Sequence, residues 1–300
     1  MVTAGGVGEV ERAGLAQRAS GVLSKQGFAM TVGALDYALL EMFPAHDAEG
    51  WDRTGMTVGD PARLVKGVAV SLDPTVKAVE EAARRGANVL VTHHPAFLDP
   101  PTSFLPAASV GIEPGALVWR AIEDGVALLS YHTALDVSER AQQVLPEMLS
   151  LEFESVAMRA AEAPSKGYGQ LCSVRDDGDS LTLGQLAARC TSVFARAPRV
   201  WGDFDRVLDR IVTCTGSIGD LGRLCLRARV DCIVCGEVKY HEALALSQAG
   251  LAVIELGHDT SELPLVPVLA SAAEEAGVPK EMIAVIDQDE NWAYPESLRV

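Results

Sequence analysis

From Lys66 onward the sequence alternates short apolar runs with amphipathic segments, and this alternation constrains the fold more than any other feature. "KGVAVSLD" reads as a strand, and Asp73-Pro74 after it reads as an N-cap and first helical residue. "TVKAVEEAARRG" places Val76, Val79 and Ala83 on one helical face and stops at Gly86. "ANVLVTHH" is the next strand. A loop containing Pro95, Pro100, Pro101, Pro106 and Pro114 then leads to a helix, "GALVWRAIEDG", and a strand, "VALLSYHTALD". This β-α-β-loop-α-β order predicts a largely parallel sheet covered by helices.

The second half repeats the scheme. "DRIVTCTG", "DCIVCGEV", "LAVIELGH" and "EMIAVIDQ" read as strands, separated by helices "DLGRLCLRARV", "KYHEALALSQAG" and "PLVPVLASAAEEAG". The expected fold class is α/β, with two related halves of mainly parallel or mixed sheets covered by helices. A metal site is expected at strand C-terminal ends between the halves. Residues 1–27 are expected to be a loosely ordered extension, 28–155 the first half and 156–300 the second. A looser segment near 150–170 joins them and is too short to hold an inserted domain.

Composition narrows the function. Lys+Arg 25 against Asp+Glu 41 gives a net charge of −16 over 300 residues. That balance argues against duplex nucleic acid and anionic membrane as partners, because both need basic surface. No apolar run reaches the roughly 18 residues that span a bilayer. The N-terminal stretch carries Glu9 and Glu11 and no hydrophobic core, unlike a signal peptide. A cytoplasmic location is the resulting expectation. All six cysteines fall after residue 170. The C-x-x-C of "DCIVCGEV" suggests zinc or redox chemistry in a turn. In a buried strand, however, residues three apart face opposite ways. The strand reading is preferred, with Cys232 and Cys235 as core residues.

Ligands of open α/β sheets bind at the carboxyl ends of strands, and five of the six histidines gather there. "NVLVT" is followed by His93 and His94, and "VALLSY" by His132 and, four residues on, Asp136. "DCIVC" precedes Glu237 and His241, and "LAVIEL" precedes His258 and Glu262. Imidazole with carboxylate suits Zn, Fe, Mn, Co or Ni and is too nitrogen-rich for Mg or Ca. Neighbours on a strand point apart, so His93 and His94 suit two ions better than one, with Glu262 or Asp136 bridging. Two ions roughly 3.5–4 Å apart would make a hydrolytic centre. His132 reads as a supporting or proton-shuttling residue. Glu237 and His241 share a helical face if the helix starts at Glu237, and they read as supporting or substrate-facing groups.

Five ordered motifs carry a resemblance: "WDRTGMTVGD" (51–60), "VTHHPAF" (91–97), "SYHTALD" (130–136), "CGEVKYHEAL" (235–244) and "ELGHDTSE" (255–262). Together they resemble the Nif-three-like family of dinuclear-metal-centre proteins, often named GTP cyclohydrolase I type 2 homologs. The resemblance implies metal ligands at His93, His94, Asp136, His258 and Glu262, with two divalent ions per subunit. It also implies a toroidal homohexamer with the metal sites facing an internal cavity. The chain departs from the family pattern at Ala134, in place of an amide, and at Asp259, in place of an aromatic. The loop "CTGSIGD" (214–220) is less glycine-rich than is usual in the family.

Two functions fit. The first is a metal-dependent hydrolase acting on a nucleotide or related heterocycle, in which a metal-activated water attacks carbon and His241 or His132 moves the proton. GTP ring opening is the family-level suggestion, although no Walker A loop is present. The second is a non-enzymatic hexamer that stores or delivers metal, or acts as a scaffold.

Overall fold

Uninterrupted apolar strands suit a sheet covered by helices on both faces, and here five four-residue strands are buried along their whole length. The structure is a computed structural model that describes residues 28–106, 114–159, 163–174, 180–288 and 291–293. Among the described residues, those within 1–134 and 266–289 group into one compact unit, and those within 135–265 and 290–300 into another. The extension expected over residues 1–27 lies outside the described residues.

The first unit holds a five-stranded sheet of β1 (Gly55–Val58), β2 (Val68–Ser71), β3 (Val89–Thr92), β4 (Ala127–Ser130) and β13 (Ile283–Val285), in the order β1-β4-β3-β2-β13. The last four are parallel, and β1 pairs antiparallel with β4. Its helices include α1 (Val32–Met42), α2 (Val76–Arg84), α3 (Gly115–Asp124) and α9 (Val266–Glu275). Val79 and Ala82 of α2 and Val118 and Ala121 of α3 pack with Leu90 and Leu128 in one core. Helix α9 and strand β13 therefore return to the first sheet, with Ile283 opposite Val68. A division of the sequence at a single point has no means of showing such a return.

Two local expectations change. The N-cap of α2 is Thr75, whose hydroxyl accepts from the Ala78 N–H, and not Asp73. The strand "VALLSYHTALD" ends at Ser130, after which the chain winds into a short helix, α4 (His132–Asp136).

The second unit holds a six-stranded sheet of β5 (Leu151–Arg159), β6 (Gly167–Val174), β8 (Arg199–Trp201), β10 (Arg210–Thr213), β11 (Cys232–Cys235) and β12 (Ala252–Glu255), in the order β5-β6-β10-β11-β12-β8. β10, β11 and β12 are parallel, while β6 and β8 pair antiparallel with their neighbours. Two-residue strands β7 (Leu181–Thr182) and β9 (Val207–Leu208) pair separately. The segment expected to be loose near 150–170 is mostly the β5–β6 hairpin. Its strand β5 is only partly buried, with Glu152 and Glu154 on its exposed face, so it lacks the apolar run that marks a central strand.

Helices α5 (Leu183–Phe194), α6 (Leu221–Arg227), α7 (Tyr240–Gln248) and α8 (His258–Glu262) complete this unit's main helices. A capping box between Thr182 and Gln185 starts α5. Two cores flank the sheet. Cys232 and Val234 pack with Leu186 and Cys190, whereas Ile233 and Cys235 pack with Leu221, Cys225 and Leu246. The two sulfurs of the C-x-x-C thus face opposite sides of one buried strand. All six thiols are free and buried, and burial pushes those of Cys172, Cys190 and Cys225 up to about 12. No helix among the described residues is long and apolar enough to cross a membrane.

Candidate metal centre

In the first unit, β2 and β3 end side by side, with Ser71 opposite Thr92. The Thr92 hydroxyl donates to the His94 carbonyl at 2.6 Å, and the His94 N–H donates to the Leu72 carbonyl at 3.0 Å. His93 and His94 follow the strand and do not lie within it, so their rings need not diverge as strand neighbours do. Their ring centroids are 5.0 Å apart, and the His132 ring lies 5.1 and 5.3 Å from them. One ring nitrogen from each of the three comes within 4.8 Å of the others, a grouping that could hold a metal ion. His93 is fully buried, and His94 and His132 are partly so.

Carboxylates orient two of these rings. His94 Nδ1 lies 2.7 Å from Asp73 Oδ1, and His132 Nδ1 lies 3.1 Å from Asp52 Oδ1. In both rings the carboxylate takes up Nδ1. Asp73, read from sequence as a helix cap, instead holds an imidazole. Asp52 has a buried side chain that accepts the Arg53 N–H on Oδ1, and both the N–H and the hydroxyl of Thr133 on Oδ2. Burial opposes its ionisation, but the hydrogen bonds from His132 and Thr133 outweigh that cost and hold its carboxyl well below the usual carboxylate range.

The second unit holds Asp136, His258 and Glu262, and within it a glycine leaves room beside Glu262. Gly257, at φ 109°, turns the chain from β12 into α8, which begins with His258. Ser261 donates to the His258 carbonyl and accepts the Gly216 N–H at 2.9 Å. A Cβ on Gly216 would run into the Glu262 carboxylate and stand 3.6 Å from His258 Nε2. Glu262 is buried, with one carboxylate oxygen 3.3 Å from His258 Nε2. The Thr215 hydroxyl donates to Asp136 at 3.1 Å.

Glu237 precedes α7, which begins at Tyr240, so the helical pairing of Glu237 with His241 is not formed. Glu237 instead lies 2.9 Å from His258 Nδ1. His241 is exposed on α7 beside the Tyr240 ring and joins no candidate metal group among the described residues. Three histidines, His94, His132 and His258, therefore each set Nδ1 against a carboxylate, the arrangement by which metal-ligating imidazoles are oriented. The donor set of imidazoles and carboxylates fits a transition-metal ion. The sequence reading missed Asp52, Asp73, Thr133, Thr215 and Gly216. Asp52 stood within the quoted "WDRTGMTVGD", and that motif was its only signal.

The family model for Duf34/NIF3 (NGG1p interacting factor 3) matches residues 30–291. A Streptomyces coelicolor protein named GTP cyclohydrolase 1 type 2 homolog is 30% identical over 245 residues, covering 79% of this chain and 84% of that protein. A Clostridium acetobutylicum protein of the same name is 26% identical over 231 residues, covering 76% and 84%. Among solved structures, a Bacillus cereus protein related to NIF3 superposes with a TM-score of 0.80 at 17% identity, covering 90% of this chain and 100% of that one. A Staphylococcus aureus hypothetical protein gives 0.78 at 21% identity, covering 89% and 100%. With a family match that runs over most of its length, the chain belongs to the Duf34/NIF3 family.

Proposed function

We propose that this protein is a metal-dependent hydrolase with a dinuclear centre, held by His93, His94, Asp136, His258 and Glu262, that acts on a nucleotide or related heterocycle. The observation that carries this is the carboxylate set against Nδ1 of His94, His132 and His258, the arrangement by which metal-ligating imidazoles are oriented. Asp136 and Glu262 would supply the carboxylate ligands. Bound there, the ions would act as Lewis acids and lower the pKa of water toward about 7. His132, held against Asp52, would serve as the proton acceptor. Glu237 orients His258, and exposed His241 meets substrate. The substrate class follows the name borne by the Streptomyces and Clostridium relatives. The assembly we propose is a cytoplasmic homohexamer, which light scattering of the purified protein would check.

A second reading, a metal-storing or metal-delivering protein, is favoured by the loop at 214–220. Its Cys214, Gly216 and Ile218 N–H groups already donate to Val234, Ser261 and Glu237, so they are not available to cradle a phosphate. The two readings differ in whether the ions keep an open position. Untagged protein purified with its own metal, then assayed against a nucleotide panel, separates them. Elemental analysis that finds no Zn, Fe, Mn, Co or Ni would sink both.

A further inference from the structure

We infer that Asp52 is a positioning residue that holds His132 in the Nδ1–H form, so that the ring's lone pair on Nε2 is offered to the His93–His94 cluster. The deduction needs only donors and acceptors. A backbone N–H can donate and never accept. The Arg53 N–H points at Oδ1 of Asp52 at 2.7 Å, and the Thr133 N–H points at Oδ2 at 2.9 Å. Each oxygen therefore faces an obligate donor. A side-chain amide would set its own hydrogens against one of these N–H groups. A carboxylic acid is disfavoured because, against the cost of burial, the converging hydrogen bonds from His132 and Thr133 hold the Asp52 carboxyl well below the usual carboxylate range. Asp52 is accordingly an acceptor at both oxygens.

His132 Nδ1, 3.1 Å from Oδ1, must then be the donor. In a neutral imidazole one nitrogen carries the proton and the other the lone pair, so the lone pair falls on Nε2. The buried setting makes this choice stringent, because the Asp52 side chain is fully buried and that of His132 is only 16% exposed. Solvent has little access to satisfy the wrong tautomer. The Thr133 hydroxyl adds a further donor to Oδ2, and it in turn accepts the Glu49 N–H at 3.0 Å. A chain of hydrogen bonds thus runs from the Glu49 backbone through Thr133 and Asp52 to the ring that faces His93 and His94.

The same logic holds the catalytic imidazole of serine hydrolases, where an aspartate fixes the tautomer of the base. Here Asp52 is not among the five proposed ligands, and it acts through His132. The inference gives the proton-accepting role of His132 in the proposed hydrolysis its structural basis and so rests on that reading. Its primary test uses neither substrate nor metal.

Metal-stripped full-length protein labelled with 15N-histidine, studied by long-range 1H–15N correlation, reports the tautomer of each ring. The His132 signal is identified by its absence in His132→Gln. The wild type should show His132 protonated at Nδ1 with an unprotonated Nε2. Thr133→Val keeps both backbone donors and should leave that tautomer unchanged, whereas Asp52→Asn should shift the ring toward the Nε2–H form. An Nε2–H ring in the wild type, or an unchanged tautomer in folded Asp52→Asn, overturns the inference. If Asp52→Asn does not fold, the wild-type spectrum decides alone. A zinc titration adds a double-mutant cycle. Asp52→Asn combined with His132→Ala should lose no more affinity than His132→Ala by itself. Fully additive losses would mean that Asp52 acts apart from His132. A failure to find hydrolysis of any nucleotide would count against the proposed function and leave the tautomer result intact.

Discussion

The two units end their central parallel strands with different chemistry. The first offers imidazoles, His93, His94 and His132, with Asp52 and Asp73 behind two of them. The second offers Glu262 beside His258, where Gly216 leaves room for the carboxylate, while Asp136 sits at the end of the short helix after β4. In the first unit crowded rings are fixed by carboxylates that are not candidate ligands themselves. In the second, the carboxylates are the candidate ligands, and the glycine loop yields space to Glu262. The difference teaches that the same α/β scaffold can present nitrogen or oxygen donors, depending on whether side chains or backbone fill the space behind them.

Replacing donors on each side should break this comparison most visibly. Glu262→Ala should lower metal occupancy more than His132→Ala, because in the proposed centre the Glu262 carboxylate would be a bridging ligand, while a supporting histidine should cost only about 10–100-fold in affinity. Elemental analysis and zinc titration compare the two, and equal losses would make His132 a direct ligand. Gly216→Ala comes next. Its methyl would press on Glu262, and zinc affinity should fall by about tenfold or more while the circular dichroism spectrum stays native.

Away from the strand ends the expected effects are on stability alone. The Cys232→Ala, Cys235→Ala double variant should keep its metal and lose roughly 1–3 kcal/mol to small cavities on both faces of β11. Denaturant titration with metal analysis checks this, and in the wild type thiol labelling should be slow until the protein unfolds. Metal loss in this variant would contradict the buried-strand placement. The smallest effect is expected from Thr75→Ala, which removes the cap of α2 for about 1 kcal/mol. Its zinc affinity should match the wild type, because Asp73 and not Thr75 holds His94.

Much of this was legible in the residues. Apolar runs such as "NVLVT" and "CIVC" are buried on both faces, so their composition reports their position directly. Strands β5 and β8, at the two ends of the second sheet, carry no such run and escaped notice. Asp73 looked like a cap because Asp-Pro is a common helix start, and no local pattern distinguishes a capping aspartate from one that holds a histidine. His241 looked like a partner of Glu237 until the helix was found to begin at Tyr240.

By itself, then, the sequence determined the α/β class, the central strands, the divergent sulfurs of Cys232 and Cys235, and the gathering of histidines at strand ends. These follow from local periodicity and from which side chains water rejects. Tertiary structure alone decided that β13 joins β2, that Asp52 reaches across 80 residues to His132, and that Gly216 must lack a side chain beside Glu262. Hydrogen bonds and close approaches between distant segments leave no periodic trace along the chain, because their partners are set by how the layers pack.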